Sequence, residues 1–278
     1  MRTQRYSRTH SAFTLVELLV VVGIIAVLIA ILMPALNKAR EHANRVKCAA
    51  NLRGIGQALT MYVQQYGYYP CHAAVSGGPG GGEGFAVWPT RLRPFLNGTQ
   101  GAFHCPAQDV ALEWKPGEAP GAGIVGRAAS IHVGYGYEVG EPLLELLRVP
   151  FSYGYNLWGV GPPSAPIEQQ RGLGAVIQSD MPTVYKEMKA SRVRSASEMI
   201  AITDSRGDGM FDFGVIPDRG NPAECPSGVH NRGANALFCD GHVQWYTLDD
   251  LLVGAEKGKP VPPGDDQRRR MWNNDNKP

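Results

Sequence analysis

The sequence predicts an α+β fold in which a long N-terminal helix packs on a small antiparallel β-sheet head with long irregular loops. An uncharged run over residues 18–36 continues into a segment with helical periodicity. Near the C-terminus, two short apolar segments flank an Asp240-Gly241 pair, which is typical of a β-hairpin. The 34 glycines and 21 prolines among 278 residues predict many loops.

The first element is predicted to cross a membrane. The run from Leu18 to Leu36 has 19 residues without a formal charge, close to the roughly 20 that span a bilayer core. Arg2, Arg5 and Arg8 precede it, so the positive-inside rule places the leader in the cytoplasm and the rest outside. A cleaved secretory signal is the alternative, but its apolar core would be only about 7–15 residues long.

Glu17 stands at the start of this span. A charged side chain inside a span costs roughly 2.5–3.5 kcal/mol even on the lenient insertion scale. Glu17 is therefore expected either to meet an opposite charge or to reach the cytoplasmic headgroups.

The helix is expected to continue beyond the membrane span. The whole helix would run from about residue 14 to residue 66. Pro34 should kink it, and Gly67 with Pro70 should end it. Apolar or small residues recur mostly every three or four positions, and this predicts one face that packs on the head. They are Leu36, Ala39, Ala43, Val46, Ala50, Leu52, Ile55, Leu59 and Tyr62.

The C-terminal hairpin is predicted to join strands 234–239 and 242–247 through a two-residue primed turn at Asp240-Gly241. In that register Cys239 faces His242, and His230 lies beyond the paired region, far from Asp240. Further strands are expected at 152–156 and 199–203. Residues 76–84, SGGPGGGEG, are expected to be a flexible loop.

Five cysteines lie in the segment expected outside the cytoplasm, where disulfides persist. Two bridges would leave one cysteine over, and the sequence does not determine the pairing. No C-x-x-C pair occurs, so a zinc ribbon is not predicted. The cysteines are Cys48, Cys71, Cys105, Cys225 and Cys239.

Asp204, Asp208 and Asp212 recur at four-residue intervals and are calcium candidates, because calcium prefers hard oxygen ligands from a flexible loop. Their spacing differs from the EF-hand pattern, and a glycine-rich turn with surface aspartates is the alternative. No other cofactor is expected. There is no G-x-S-x-G, H-E-x-x-H or P-loop motif, so no enzyme is predicted. The net charge of +2 indicates no nucleic-acid partner.

Residues 12–19, AFTLVELL, resemble the class III signal of type IV prepilins and type II secretion pseudopilins. The resemblance implies that a prepilin peptidase/methyltransferase cuts between Ala12 and Phe13 and methylates the new amine. It also implies that Glu17 faces the N-terminal amine of a neighbouring subunit, where opposite charges in a low dielectric attract strongly. Ala12 stands where this family usually has glycine.

The segment from His230 to Asp240-Gly241 resembles the H-x9-D-G signature of one branch of prepilin-type proteins. We expect Asp240 and Gly241 to shape the turn and His230 to hydrogen-bond backbone. The alternative is a metal site made by His230, Asp240 and His242. Fragments that agree with the resemblance are Cys48–Arg53, Cys105-Pro106, Tyr153–Asn156 and Ser197–Ile200.

The resemblance implies a non-enzymatic subunit that assembles through its helix into a type II secretion or type IV pilus-like filament. Its partners would be the peptidase, like subunits or other pseudopilins, and membrane lipid. A single-pass protein in the inner membrane, whose head binds a polysaccharide or calcium without polymerising, is the alternative. The expected regions are a cleaved leader, a membrane helix, an extracytoplasmic helix, the head and a disordered polar tail: 1–12, 13–36, 37–67, 68–254 and 255–278.

Overall fold

The computed structural model describes residues 15–77, 83–114, 136–141, 151–158, 171–174, 176–178, 187–207, 213–220, 224–255 and 258–277. The chain divides into two compact units, residues 1–42 and residues 43–278. Helix α1, Leu15–Tyr66, begins in the first unit and ends in the second. The head therefore includes the end of this helix and the C-terminal segment, whereas the sequence predicted a head over 68–254.

Helix α1 has nearly the bounds that its periodicity predicted. It ends at Tyr66 because Gly67 adopts a left-handed φ of 76° and donates its N–H to the carbonyl of Val63 at 2.8 Å. Pro34 lies inside the helix, and helical backbone continues on both sides of it.

The described strands form two sheets. A three-stranded sheet has the order β2-β1-β4, and a five-stranded sheet has the order β6-β3-β5-β7-β8. The strands are β1 Ala73–Gly77, β2 Glu83–Val87, β3 Tyr153–Asn156, β4 Val176–Gln178, β5 Ile200–Asp204, β6 Gly214–Val215, β7 Gly233–Phe238 and β8 Val243–Thr247.

The α+β prediction is confirmed, with two differences in the sheets. The five-stranded sheet is mixed, because β6 pairs with β3 in parallel while β3–β5, β5–β7 and β7–β8 are antiparallel. The glycine-rich segment 76–84 is not wholly a loop. Its two ends belong to β1 and β2, which pair in antiparallel register from Ala73↔Val87 to Gly77↔Glu83.

Alternate residues of β7 enter two different hydrophobic clusters. Leu237 packs in a cluster with Leu52, Ile55 and Leu59 of α1. Ala234, Ala236 and Phe238 pack in a second cluster with C-terminal residues such as Trp272. The five-stranded sheet therefore lies between α1 on one face and the C-terminal segment on the other.

The disorder predicted for the polar tail over 255–278 is wrong for the residues that the structure describes there. After α1, helix α2 spans Trp88–Leu92, and near the C-terminus helix α3, Leu248–Leu251, is followed by helix α4, Asp265–Trp272. Trp272 is fully buried and donates its indole N–H to the carbonyl of Leu251 at 3.0 Å. The composition is polar, but Trp272 brings a large apolar side chain into the second hydrophobic cluster, and Met271 packs against that cluster.

The apolar face of α1 differs from the predicted one in its first half. Val46 is 52% exposed, and Ala50 is also exposed. The buried face begins later and recurs at steps of three or four residues, as predicted further along the helix. Its members are Cys48, Leu52, Ile55, Leu59 and Tyr62.

The C-terminal hairpin has a three-residue loop, not the predicted two-residue primed turn. Leu237 pairs with Val243, and the N–H of Gly241 donates to the carbonyl of Phe238 at 2.9 Å. Gly241 alone has positive φ, 94°, whereas a type I′ turn needs two such residues. The cross-strand register therefore moves by one residue, and Asn235 faces Trp245.

Candidate functional site

A disulfide between Cys48 and Cys105 forms the centre of a buried polar cluster. Cys48 is the first buried residue of α1, and Cys105 follows a 3₁₀ turn at Gly101–Phe103. The two Cα atoms are 5.2 Å apart, and neither residue is exposed to solvent. The bond ties the helix to a loop that lies 57 residues away in the sequence.

His230 presents its imidazole to this disulfide. Its Nε2 lies 3.3 Å from the Sγ of Cys105, and its side chain is fully buried. Its main chain is fixed by a reciprocal pair of hydrogen bonds with Gly233, and the indole of Trp245 donates to its carbonyl at 3.0 Å. We expected a histidine bonded to backbone at a loop entry. The backbone bonds belong to the main chain, and the imidazole lies among ionisable side chains.

Asp204, the last residue of β5, completes the cluster. Its Oδ2 lies 3.6 Å from the Nε2 of His230 and accepts hydrogen bonds from the backbone and side-chain N–H groups of Asn235 at 2.6 and 3.1 Å. Burial raises the pKa of Asp204 to about 7, although the two bonds from Asn235 act in the opposite direction. Its Oδ1 accepts no hydrogen bond from the described residues.

Asn235 and Asn51 connect the cluster to α1. The amide of Asn235 lies 3.4 Å from the carbonyl of Arg45, and the guanidinium of Arg45 lies over the ring of Trp245. On the next turn, Asn51 donates to the carbonyl of His104 at 3.0 Å, beside Cys105. The helix, the loop and the hairpin are therefore joined by polar contacts around the disulfide.

The two ends of the H-x9-D-G element contact different places. His230 meets the disulfide before β7 begins, whereas Asp240 and Gly241 lie in the loop after β7, about 20 Å further along a six-residue strand. Asp240 accepts from the imidazole of His242 at 2.6 Å. Within the described residues, His230 and Asp240 thus do not share a metal site with His242.

The other three cysteines lie apart from this cluster. Cys71 and Cys239 are buried, and burial raises the pKa of each thiol to about 12. The thiol of Cys225 donates to the carbonyl of Asp218 at 3.1 Å. Asp208 and Asp212, the calcium candidates beside Asp204, lie outside the described residues.

The sequence did not bring Asp204, His230 and the two cysteines together. The spacing of Asp204 to Asp208 and Asp212 indicates calcium and not a contact with His230, and no motif marks Asn235 as part of a site. Cys48, Cys105 and His230 each belong to a fragment that carried the family resemblance. Their presence in these fragments is the feature of the sequence that could have indicated a contact among the three residues.

The N-terminal segment is exposed and apolar. Only α1, among the described helices, is long and apolar enough to cross a membrane. Its large apolar side chains from Leu15 to Met33 are between 46% and 78% exposed. Glu17 lies in its first turn, and the cleavage residues Ala12 and Phe13 lie outside the described residues.

These features define a class: an α+β head attached to one N-terminal helix of membrane-spanning character. Residues 7–33 match the prokaryotic N-terminal methylation motif. Residues 37–124, which include both disulfide cysteines, match the family described as protein of unknown function DUF1559, which carries the H-x9-D-G domain. Together the two matches fit a prepilin-like protein. No curated protein and no solved structure matches it.

Proposed function

We propose that the protein is a pilin-like or pseudopilin-like structural subunit, without enzymatic activity, that assembles through α1 into a type II secretion or type IV pilus-like filament. The methylation motif at 7–33, whose residues 15–33 form the exposed apolar start of α1, carries this proposal. The head would lie outside the cytoplasm, held by a single membrane span whose leader is cytoplasmic.

The physical support is that the apolar surface of residues 15–33 is not used by the core. Burial of apolar surface stabilises by about 25 cal/mol per Å². Before assembly, membrane lipid would cover this surface, and in a filament the same helices of neighbouring subunits would cover it. Glu17 would then lie near the methylated amine of Phe13 of a neighbour, and each charge would offset the desolvation of the other.

Processing is tested at Ala12 in the full-length chain, co-expressed with a prepilin peptidase. Ala12→Glu should block cleavage, because the position before the cut needs a small residue, whereas Ala12→Gly should be cut normally. Mass spectrometry of the N-terminus gives the cut position and the methyl group. Normal cleavage of Ala12→Glu would contradict the assigned cleavage site.

Assembly is tested at Glu17 in cells that hold the matching assembly machinery. Glu17→Ala should be cleaved and remain in the membrane, but its sheared or cross-linked filament fraction should fall at least tenfold. Glu17→Asp, which keeps the charge, is the matched control. Filaments of Glu17→Ala in normal amount would show that the charge pair is wrong. A processed wild type that never leaves the monomeric membrane fraction would favour the anchored, non-polymerising head.

A further inference from the structure

Four metal-ligating side chains converge in the head from four separate parts of the chain. One donor atom each from Cys48, Cys105, Asp204 and His230 lies within 4.8 Å of the other three. All four residues are fully buried. In the structure the two sulfurs are joined as a disulfide, so they are not thiolate donors in this state.

Two of the separations between these donors are close to the edges of a zinc tetrahedron. Bond lengths of about 2.3 Å to sulfur, 2.05 Å to nitrogen and 2.1 Å to oxygen place sulfur and nitrogen roughly 3.6 Å apart, and nitrogen and oxygen roughly 3.4 Å apart. The observed distances from the Nε2 of His230 are 3.3 Å to Cys105 Sγ and 3.6 Å to Asp204 Oδ2. The remaining non-bonded separations are within 4.8 Å, and the two sulfurs must move apart to roughly 3.8 Å once their bond is broken.

The surroundings hold the oxygen and nitrogen ligands in place. The two hydrogen bonds from Asn235 orient the Asp204 carboxylate, and the Trp245 indole fixes the backbone of His230. Such outer contacts commonly orient metal ligands. Oδ1 of Asp204 accepts no hydrogen bond within the described part of the chain, and a nearby cation would offset the cost of burying that carboxylate.

We propose that the dithiol form of the head binds one Zn²⁺ through Cys48, Cys105, Asp204 and His230. Two sulfur donors with one imidazole and one carboxylate suit Zn²⁺ better than calcium or magnesium, which prefer oxygen alone. On binding, each thiol loses a proton to solvent, so two protons are released for each Zn²⁺ bound.

Zinc and the disulfide exclude each other. A disulfide oxidant takes two electrons from the zinc-bound thiolates, the Cys48–Cys105 bond forms, and Zn²⁺ leaves. The oxidant takes up two protons and becomes a dithiol. The site would therefore hold the newly made head in its final arrangement before the bond closes. This proposal does not depend on whether the protein polymerises.

The test uses the full-length protein in detergent in both redox states. A trialkylphosphine cleaves the disulfide, consuming one water and becoming the phosphine oxide, and it is then removed together with metals by chelation and gel filtration. Co²⁺ is added as a spectroscopic probe, and Zn²⁺ is measured by equilibrium dialysis with elemental analysis. We expect one Zn²⁺ per dithiol chain, with Co²⁺ giving thiolate charge-transfer absorption and the intense visible bands of four-coordinate cobalt.

The oxidised wild type is the matched control, because it differs only in the two thiols. It should bind at least a hundredfold more weakly. His230→Gln should weaken Zn²⁺ binding to the dithiol form at least tenfold, whereas Cys225→Ser, which changes a thiol outside the cluster, should not alter it. The proposal is overturned if the folded dithiol protein binds no Zn²⁺, if cobalt gives only six-coordinate bands, or if oxidised and reduced proteins bind equally.

Discussion

A carboxyl group buried beside a disulfide makes the stability of the head depend on pH. Asp204 is fully buried, and burial raises its pKa from 3.8 to about 7. In the unfolded chain the group ionises near pH 3.9. Between these values the folded state binds more protons than the unfolded state, so the free energy of unfolding falls as pH rises.

We expect Asp204→Asn to remove this pH dependence. Between pH 5 and pH 8 the wild type should lose on the order of 2 kcal/mol more of its free energy of unfolding than the variant. Asparagine keeps an oxygen that accepts from Asn235, so the packing changes little. The measurement is urea unfolding of the oxidised segment 43–278 across this range.

Asp266→Asn is the control for this experiment, because Asp266 is an exposed residue in the first turn of α4. Its pH profile should follow that of the wild type. An Asp204→Asn profile parallel to the wild type would show that the buried carboxyl does not set the slope.

At the scale of single residues, the sequence indicated which side chains could form a site, but not which side chains they contact. The regular spacing of Asp204 suggested calcium, yet its carboxylate lies against Asn235 and His230. The pairing of Cys48 with Cys105 depends on how α1 lies against the 3₁₀ turn at Gly101–Phe103, and no local pattern encodes that contact.

The contact between α1 and the C-terminal hairpin depends on one glycine of the helix. A Cβ atom added to Gly56 would lie 2.7 Å from Cδ1 of Leu237 and 3.4 Å from the carbonyl oxygen of Gly241. The same atom added to Gly54 would meet nothing within 4 Å. Gly56 therefore permits close approach of the hairpin loop, while Gly54 only weakens the helix.

Alanine at these two positions should have opposite effects. Gly54→Ala should raise the free energy of unfolding by about 0.5–1 kcal/mol, because alanine is the better helix former. Gly56→Ala should lower it by about 1–2 kcal/mol, because the buried Leu237 must shift in a packed core. Thermal and urea unfolding of segment 43–278 measure both, and equal gains at the two positions would exclude a close contact at Gly56.

Elements with strong local signals were predictable, and their pairings were less so. The periodicity of α1 fixed its end at Tyr66, since Gly67 stops it. Asp240-Gly241 correctly indicated a hairpin, but the same dipeptide also suits a type I turn followed by a left-handed glycine, which moves the register by one residue. Strands β1 and β2 were missed because glycine has little strand propensity.

At the scale of the whole molecule, the Cys48–Cys105 bond links α1 covalently to the head in addition to the main chain. It closes a loop with a sequence separation of 57 residues. The chain-entropy relation for a loop of that size gives a stabilisation of about 4 kcal/mol, and measured values are typically 2–4 kcal/mol. That is a large fraction of the 5–15 kcal/mol that a typical domain has.

Replacing both cysteines, as Cys48→Ala/Cys105→Ala, should therefore lower the free energy of unfolding of segment 43–278 by about 2–4 kcal/mol. Urea unfolding in the presence of a chelator measures this. The chelator prevents a metal ion from stabilising any wild-type protein in which Cys48 and Cys105 are reduced. Cys225→Ser keeps a hydrogen-bond donor toward Asp218 and should change stability by less than about 0.5 kcal/mol. If the double variant and the wild type share one midpoint, contacts such as Asn51 to His104 and Asn235 to Arg45 suffice to hold the helix, and the disulfide adds nothing to the head.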